Sequence, residues 1–158
     1  MSFNNTATEP QAITAARFMV QFDGMRPAYF SELTGITTEV EPTEYIAAGA
    51  RDGRIVHTKQ FGKTKPPMVT LRRGVDGDGS IWAWHEMVRG GAAAARMTGS
   101  LMLQDANGKT RAHYRMSDAW PSRIEVGNLR AGASEVVLET VTFVCGSIQL
   151  IQGGNSLL

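Results

Sequence analysis

The chain has 158 residues, of which 42% are apolar and 20% charged, and its formal net charge is +1. This size and composition favour a single globular domain with a sizeable core and argue against wholesale disorder. The sequence contains no basic stripe for a nucleic acid, no apolar run long enough to span a membrane and no signal-peptide pattern. Because the single cysteine, Cys145, excludes an intrachain disulfide, we expect a protein made and kept soluble in a reducing cytoplasm.

The N-terminal part of the chain divides into a polar arm and two extended regions. Residues 1–15 lack periodicity and predict a flexible arm that precedes one domain over residues 16–150. Apolar and polar side chains alternate from Ala16 to Phe22, which predicts a half-buried strand. A second extended region runs from Phe30 to Tyr45. Pro42 within it indicates a sheet edge or a bulge, because proline cannot donate to the hydrogen-bond ladder.

The segment from Ile46 to Lys65 is unusually rich in glycine for the middle of a domain. It contains Gly49, Gly53 and Gly62 and a short β-like patch at Arg54–Thr58. Long glycine-rich connections in compact domains are usually functional or mobile. We therefore predict a protruding hairpin over residues 46–65, with an ordinary loose loop as the alternative.

One helix is predicted in the middle of the chain. After a short strand at Met68–Arg72 and a turn at Gly74–Gly79, Ser80 is a good N-cap residue. Apolar side chains then recur at helical spacing from about Ile81 to Arg89, and a Gly90-Gly91 pair follows. This pattern predicts an amphipathic helix over residues 81–89.

The C-terminal half of the chain predicts four more strands. A strand at Thr98–Gln104 is followed by a hairpin turn at Asp105–Gly108 and a return strand at Thr110–Met116. The chain continues in extended form over Ala119–Val126, and the last strand is Glu135–Val144.

The last predicted strand is apolar on both faces. Val136, Leu138 and Val144 alternate with a second apolar set, Val137, Val141 and Phe143. A strand of this kind is typically buried on both faces. We expect residues 151–158 to form a terminal tail, which could begin as early as Ser147. The fold expected is mainly β, with two packed antiparallel sheets in a small barrel or sandwich and one flanking helix.

The candidate motifs for nucleotide or calcium binding are incomplete. Gly62-Lys63-Thr64 resembles the end of a phosphate-binding loop, but His57 stands where that motif needs its first glycine. Asp76-Gly77-Asp78-Gly79-Ser80 resembles the start of a calcium loop, but its sixth position is Ile81 and its twelfth is Met87. The turn followed by a helix explains the second segment better.

Catalytic, metal and ligand sites have weak support as well. His57, His85 and His113 are far apart and are not paired with carboxylates at helical or hairpin spacing. The three tryptophans could form a stacking surface for a ligand, although packing is the commoner use of such large side chains: Trp82, Trp84 and Trp120. A small-molecule-binding β-barrel therefore stays as an alternative, and an enzyme is the class with the least support.

Six short segments, in this order, carry a resemblance that covers roughly residues 16–150. They are Phe18–Gly24, Phe30–Ile36 with Glu44-Tyr45, Val69–Gly74, Ile81–Trp84, Ala119–Pro121 and Glu135–Thr140. In these segments the chain resembles the tail-tube family of contractile phages and related injection systems. It departs from the family in its long N-terminal arm and in the stretch Ile46–Gly53, which is less acidic than expected, and both departures concern ring stacking.

The resemblance implies a structural subunit without catalytic site, metal or cofactor. Family members form hexameric rings that stack into a hollow tube inside a contractile sheath, with baseplate and cap proteins at its ends and possible cargo in the lumen. A tube-terminating or baseplate-proximal paralogue is the alternative within the family. On this interpretation we expect the contacts between subunits to involve nine residues: Glu44, Tyr45, Arg51, Arg54, Arg72, Arg73, Trp120, Glu135 and Glu139.

Overall fold

The computed structural model describes residues 12–48, 55–127, 132 and 136–152. These residues form a mainly β structure with one α-helix, as the sequence predicts. The strands are β1 (Arg17–Phe22), β2 (Ala28–Phe30), β3 (Glu32–Ala48), β4 (Ile55–Gly74), β5 (Met97–Gln104), β6 (Thr110–Val126), β7 (Leu138–Val144) and β8 (Ser147–Gln152). The helix, α1, is Ser80–Arg89, and a short 3-10 turn follows at Ala93–Ala95.

The described strands all pair antiparallel along one path, β2-β1-β5-β6-β7-β4-β3, and β8 pairs with β6. Strand β6 belongs to two sheets. Its N-terminal half pairs with β5 and β8 in what we call the first sheet, together with β1 and β2. Its C-terminal half pairs with β7 in the second sheet, together with β4 and β3. The predicted pair of packed sheets is therefore present, with a strand in common.

A bulge marks the place where β6 passes from one sheet to the other. Asp118 has a φ of 50°, in the left-handed region that aspartate tolerates better than most residues. The pairing with β5 shifts register between Met97 and Gly99, opposite this bulge. The Gly146 amide donates to the carbonyl of Ser117 at 2.8 Å on the other side of β6. A bulge bends a strand and increases its twist, so it turns β6 from the first sheet into the second.

The core lies between the two sheets and is closed by α1. The rings of Phe22, Trp84 and Phe143 meet here, with centroid distances of 4.6 Å from Phe22 to Trp84 and 5.2 Å from Phe22 to Phe143. The indole N–H of Trp84 donates to the carbonyl of Ala95, which holds the helix against the 3-10 turn. Such aromatic contacts add to the free energy gained by burying the apolar area.

The start of α1 differs from the prediction. Gly79 is the N-cap residue, whereas Ser80 is the first residue of the helix, and its hydroxyl is buried without a hydrogen-bond partner. Asp78 takes over the expected role, because its carboxylate accepts the Ser80 amide at 3.0 Å. This hydrogen bond from the Ser80 amide is the largest cause that lowers the pKa of Asp78 below its usual value.

The prediction that the last strand is buried on both faces is wrong. Val141 and Phe143 are fully buried, but on the other face Leu138 is 37% exposed, and Val136, just before the strand, is 74% exposed. The reason is that the first sheet and α1 cover only one face of the second sheet. The strand also begins at Leu138, and Glu135 lies outside the described residues.

The strand boundaries differ from the predicted ones in three further places. The extended region predicted at 30–45 is divided, because β2 ends at Phe30 and β3 begins at Glu32. The two regions predicted at 110–116 and 119–126 form the single strand β6. Residues 147–152, where a tail could have begun, form β8, because the chain beyond Gly146 stays in register along β6.

One ion pair is buried in the body of the chain. The Arg73 guanidinium lies 3.8 Å from the Glu139 carboxylate, and the two side chains are 4% and 3% exposed. Arg73 also lies over the ring of Phe30 and 3.8 Å from Asp76. Burial raises the pKa of Glu139, and the attraction of Arg73 offsets this only in part.

A stability prediction concerns Gly99 in β5. A Cβ atom there would lie 2.4 Å from the Phe22 ring and 2.6 Å from the Gln21 carbonyl, whereas one at Gly35 would meet nothing within 4 Å. We expect Gly99→Ala to lower the free energy of unfolding by about 1–3 kcal/mol and Gly35→Ala to change it by no more than about 0.5 kcal/mol. Urea unfolding of both variants measures the difference, and equal midpoints would contradict the packing.

A second prediction concerns the pH dependence of stability. Because the folded pKa of Glu139 is raised, its contribution is fully present below the unfolded pKa of about 4.3 and is lost as pH rises through the folded pKa. We therefore expect the stability of the wild type relative to Glu139→Gln to fall from acid to neutral pH. Thermal unfolding of both proteins across this pH range measures the difference in stability, and Glu125→Gln, a substitution of an exposed glutamate, is the control. A relative stability that rises with pH would mean that the Arg73 attraction dominates.

Candidate assembly surfaces

Two strands of the second sheet have open edges. Among the described strands, β3 pairs only with β4, and the C-terminal half of β6, Trp120–Val126, pairs only with β7. Each edge presents backbone N–H and C=O groups that another strand could pair with. The second sheet therefore has an open edge at each side, which is the arrangement required for joining copies side by side.

The β3–β4 hairpin extends well beyond the rest of the second sheet. Strand β7 pairs with β4 only from Met68 to Gly74, whereas β3 and β4 stay paired as far as Ala48 and Ile55. We call the two-stranded part, residues 39–48 and 55–65, the ribbon. Its strands are about 30 Å long. The predicted hairpin at 46–65 is thus the outer part of a longer ribbon, and its tip at residues 49–54 lies outside the described residues.

The described side chains of the ribbon, at 39–44 and 59–65, are mostly polar, but two of them are apolar and exposed. Lys65 forms ion pairs with Glu39 at 3.2 Å and with Glu41 at 3.5 Å. Phe61 is 98% exposed and Val40 is 50% exposed. Pro42 lies opposite Phe61 beside a register shift on this edge strand, which confirms the predicted edge or bulge. Isolated two-stranded hairpins are marginally stable, so this extension of the second sheet is a candidate for contact with another surface.

The residues expected at subunit contacts lie in three different places. Glu44 is exposed on the ribbon, and Tyr45 pairs there with Thr58. Arg72 is partly exposed on the second sheet and Trp120 is half-buried at the start of its open β6 edge. Arg73 and Glu139 come together inside the chain. The remaining three residues lie outside the described part of the chain: Arg51, Arg54 and Glu135.

The face of the second sheet that does not cover the core carries a group of polar side chains paired with one another, beside the exposed apolar side chains of Met68 and Leu138. Arg72 contacts Glu32 and the Thr140 hydroxyl, each at 3.3 Å. The hydroxyls of Thr70 and Thr142 are also 3.3 Å apart. We call this surface the free face. Its guanidinium and hydroxyl groups have neighbours in the same chain, so it is suited to contact with water rather than to packing.

Residues that sequence reasoning missed are Phe61 and Arg96. Phe61 is the one aromatic residue in the polar run Thr58–Lys65, and this isolation was a signal that could have been used. The Arg96 guanidinium lies 5.4 Å from the centre of the Trp120 ring. Arg96 and Trp120 are 24 positions apart in sequence, and no spacing rule connects them.

The described residues offer little for catalysis. His113 Nε2 and the Ser100 hydroxyl are 2.8 Å apart, but no described carboxylate is hydrogen-bonded to this histidine to orient it as a base. His85 Nδ1 lies 2.8 Å from the Pro121 carbonyl, which is a structural contact. No group of metal-ligating side chains occurs among the described residues, and none of their helices could span a membrane.

Comparison with known proteins identifies the relatives of this architecture. A chain from the sheath-tube complex of an extracellular contractile injection system, PVC, in the extended state matches with a TM-score of 0.72 and 20% identity, covering 91% of this chain and 93% of that one. A chain of the anti-feeding prophage tube-terminating cap matches with a TM-score of 0.69 and 20% identity, covering 96% of this chain and 100% of that one. These likenesses concern the fold.

A more distant solved structure is Hcp1 from Salmonella typhimurium, with a TM-score of 0.51 and 13% identity over 89% of this chain and 91% of that one. Comparison with curated protein sequences gives no significant match. The family model for the T4-like virus tail tube protein gp19 matches residues 14–149, which is most of the chain. The chain therefore belongs to the T4-like virus tail tube protein gp19 family and is a structural component of the tube of a phage tail or contractile injection particle.

Proposed function

We propose that the chain is the repeating subunit of the main tube, in hexameric rings stacked into a hollow conduit. The observation that carries this proposal is the ribbon, a two-stranded extension about 30 Å long without support from the rest of the described chain. A subunit that repeats along a tube needs a contact directed out of its own ring, and the ribbon is suited to supply it. A sheath that surrounds the tube and drives it through a target envelope is the expected partner, with baseplate and cap proteins at its ends.

Ring closure uses the two open edges of the second sheet. The β3 edge of one subunit meets the Trp120–Val126 edge of β6 in the next, and a heterologous contact of this kind forms a ring when its rotation closes. Joining the edges also removes the risk of uncontrolled strand pairing. The free face then lines the lumen, because the other face of the sheet carries the core, α1 and the first sheet.

The expected contact residues are divided between these two interfaces. Glu44, Tyr45, Arg51 and Arg54 belong to the ribbon and its tip, and they are proposed for contact between rings. Trp120 is at the β6 edge and Arg72 is on the free face near β3. Arg73 and Glu139 form an ion pair inside the subunit, and their role at subunit contacts stays a prediction. Glu135, which lies outside the described residues, keeps its proposed role at a subunit contact.

On this proposal, the protein acts by assembly and not by catalysis. The Ser100–His113 pair has no orienting carboxylate among the described residues, and the family is a structural one. The chain binds neither cofactor nor metal for its role. Possible cargo passes along the free face.

The second candidate is a tube-terminating paralogue that adds one ring. It is favoured by the match to the cap of the anti-feeding prophage, which covers 100% of that chain. The two roles predict different products from the purified protein. The repeating subunit gives tubes of many rings, whereas the terminating paralogue gives single rings, and negative-stain electron microscopy distinguishes them.

A ribbon truncation tests the contact between rings. Removing residues 44–59 and joining the paired residues Thr43 and Gln60 through an Asn-Gly turn shortens both strands equally. We expect the body to fold as before, since β7 and the first sheet do not pair with the removed part, and we expect tubes to be lost. Circular dichroism and thermal unfolding check the fold, and electron microscopy checks assembly. Tubes of normal length from this variant would contradict the role of the ribbon.

A further inference from the structure

A groove lies beside the end of α1, on the surface between the helix and β6. It has a volume of about 410 Å³, and its lining includes Val88, Ala92, Ala95, Arg96 and Trp120. The walls are aliphatic or aromatic apart from the guanidinium of Arg96, which lies 5.4 Å from the centre of the Trp120 ring. A groove with apolar walls and a cation at its rim is suited to an aromatic side chain that has acidic neighbours.

The chain itself carries a side chain of that description. Phe61 on the ribbon is 98% exposed, more than any other large apolar side chain of the described residues. It cannot be covered by the body of its own subunit, because it extends from a part of the ribbon that pairs with no third strand. Leaving a phenylalanine in water forfeits the free energy that its burial would provide.

Charge complementarity favours the same match. The strand opposite Phe61 carries Glu39, Glu41 and Glu44 around its paired residue, Pro42. Arg96 is exposed, and its guanidinium lies over the Trp120 ring. The lysines of the ribbon, Lys59, Lys63 and Lys65, all lie on β4, so only a ribbon that approaches the groove with its β3 edge would bring carboxylates to the arginine at the rim.

From these observations we propose that Phe61 of one copy inserts into the α1–β6 groove of another copy and anchors the ribbon there. This inference rests on the proposed self-assembly and deepens it, since it names the residue and the receiving groove. The contact is heterologous, with the ribbon on one copy and the groove on the next. Each copy can therefore bind one neighbour through its ribbon and another through its groove. Buried aromatic anchors of this kind commonly carry much of the binding energy of an interface.

Two substitutions test the two halves of the contact independently. Phe61→Ser removes the anchor, and Ala92→Phe fills the groove from an exposed position on its rim. We expect each to raise the protein concentration needed for tube assembly by roughly tenfold or more, the effect of losing one buried phenylalanine. Val40→Ser on the same ribbon and Ala94→Phe beside the groove are the matched controls. They should change the protein concentration needed for assembly by no more than about twofold.

Cross-linking supplies a direct readout of position. In assembled Phe61→Cys/Ala92→Cys protein, oxidation should give disulfide-linked oligomers on non-reducing gels, and Phe61→Cys/Ala94→Cys should give far fewer. The native Cys145 does not compete, because it is fully buried and burial raises the pKa of its thiol to about 11. Thermal unfolding of each monomer confirms that the variants are folded.

The possible results separate this inference from the function on which it rests. Loss of assembly with both test variants, together with the specific cross-link, supports it. Wild-type-like assembly by either test variant, or equal cross-linking of the two cysteine pairs in formed tubes, overturns the groove contact while the tube function stands. A wild-type protein that forms neither rings nor tubes at any concentration or salt overturns both.

Discussion

The fold depends on the backbone hydrogen bonds of one strand. β6 bonds to β5 and β8 with its first half and to β7 with its second, so the two sheets have a covalent and hydrogen-bonded connection instead of packing as separate layers. The bulge at Asp118 supplies the bend that this sharing requires. Because β6 turns away from β5 at this point, the second half of the strand has one unpaired edge. The open edge that the proposed ring uses is thus a consequence of the same bend that forms the core.

The sequence was sufficient for the type of fold because its local signals agree with the three-dimensional structure. The alternation in β1, interrupted by Met19, and the helical spacing of Ile81, Trp84 and Val88 are properties of single elements, and the structure retains them. The family resemblance also rested on short segments of this kind. Local patterns of apolar residues are sufficient here because the core side chains come from elements whose inward faces are regular.

Long-range placement is where sequence reasoning failed. The sequence pattern of β7 predicts apolar residues on its exposed face as well as on its buried face. This periodicity does not indicate that the first sheet covers only the face with Val141 and Phe143. Arg73 and Glu139 were expected at subunit contacts from the family resemblance, which stays a prediction; their pairing within one chain depends on the register between β4 and β7, which no local pattern encodes. The length of the ribbon follows from where β7 stops pairing with β4, which the residues of the ribbon themselves do not encode.

The register of β7 and β8 along β6 has a mechanical consequence. Val144 lies opposite Trp120 and Ser147 opposite Ser117, so a nearly unbroken antiparallel pair extends through both sheets. A pull along that pair loads its hydrogen bonds together, in shear, whereas a pull across it would break them one after another. A particle that is driven through an envelope exerts force on every subunit at once. If the force acts along these strands, both sheets deform together before any single hydrogen bond of the pair breaks.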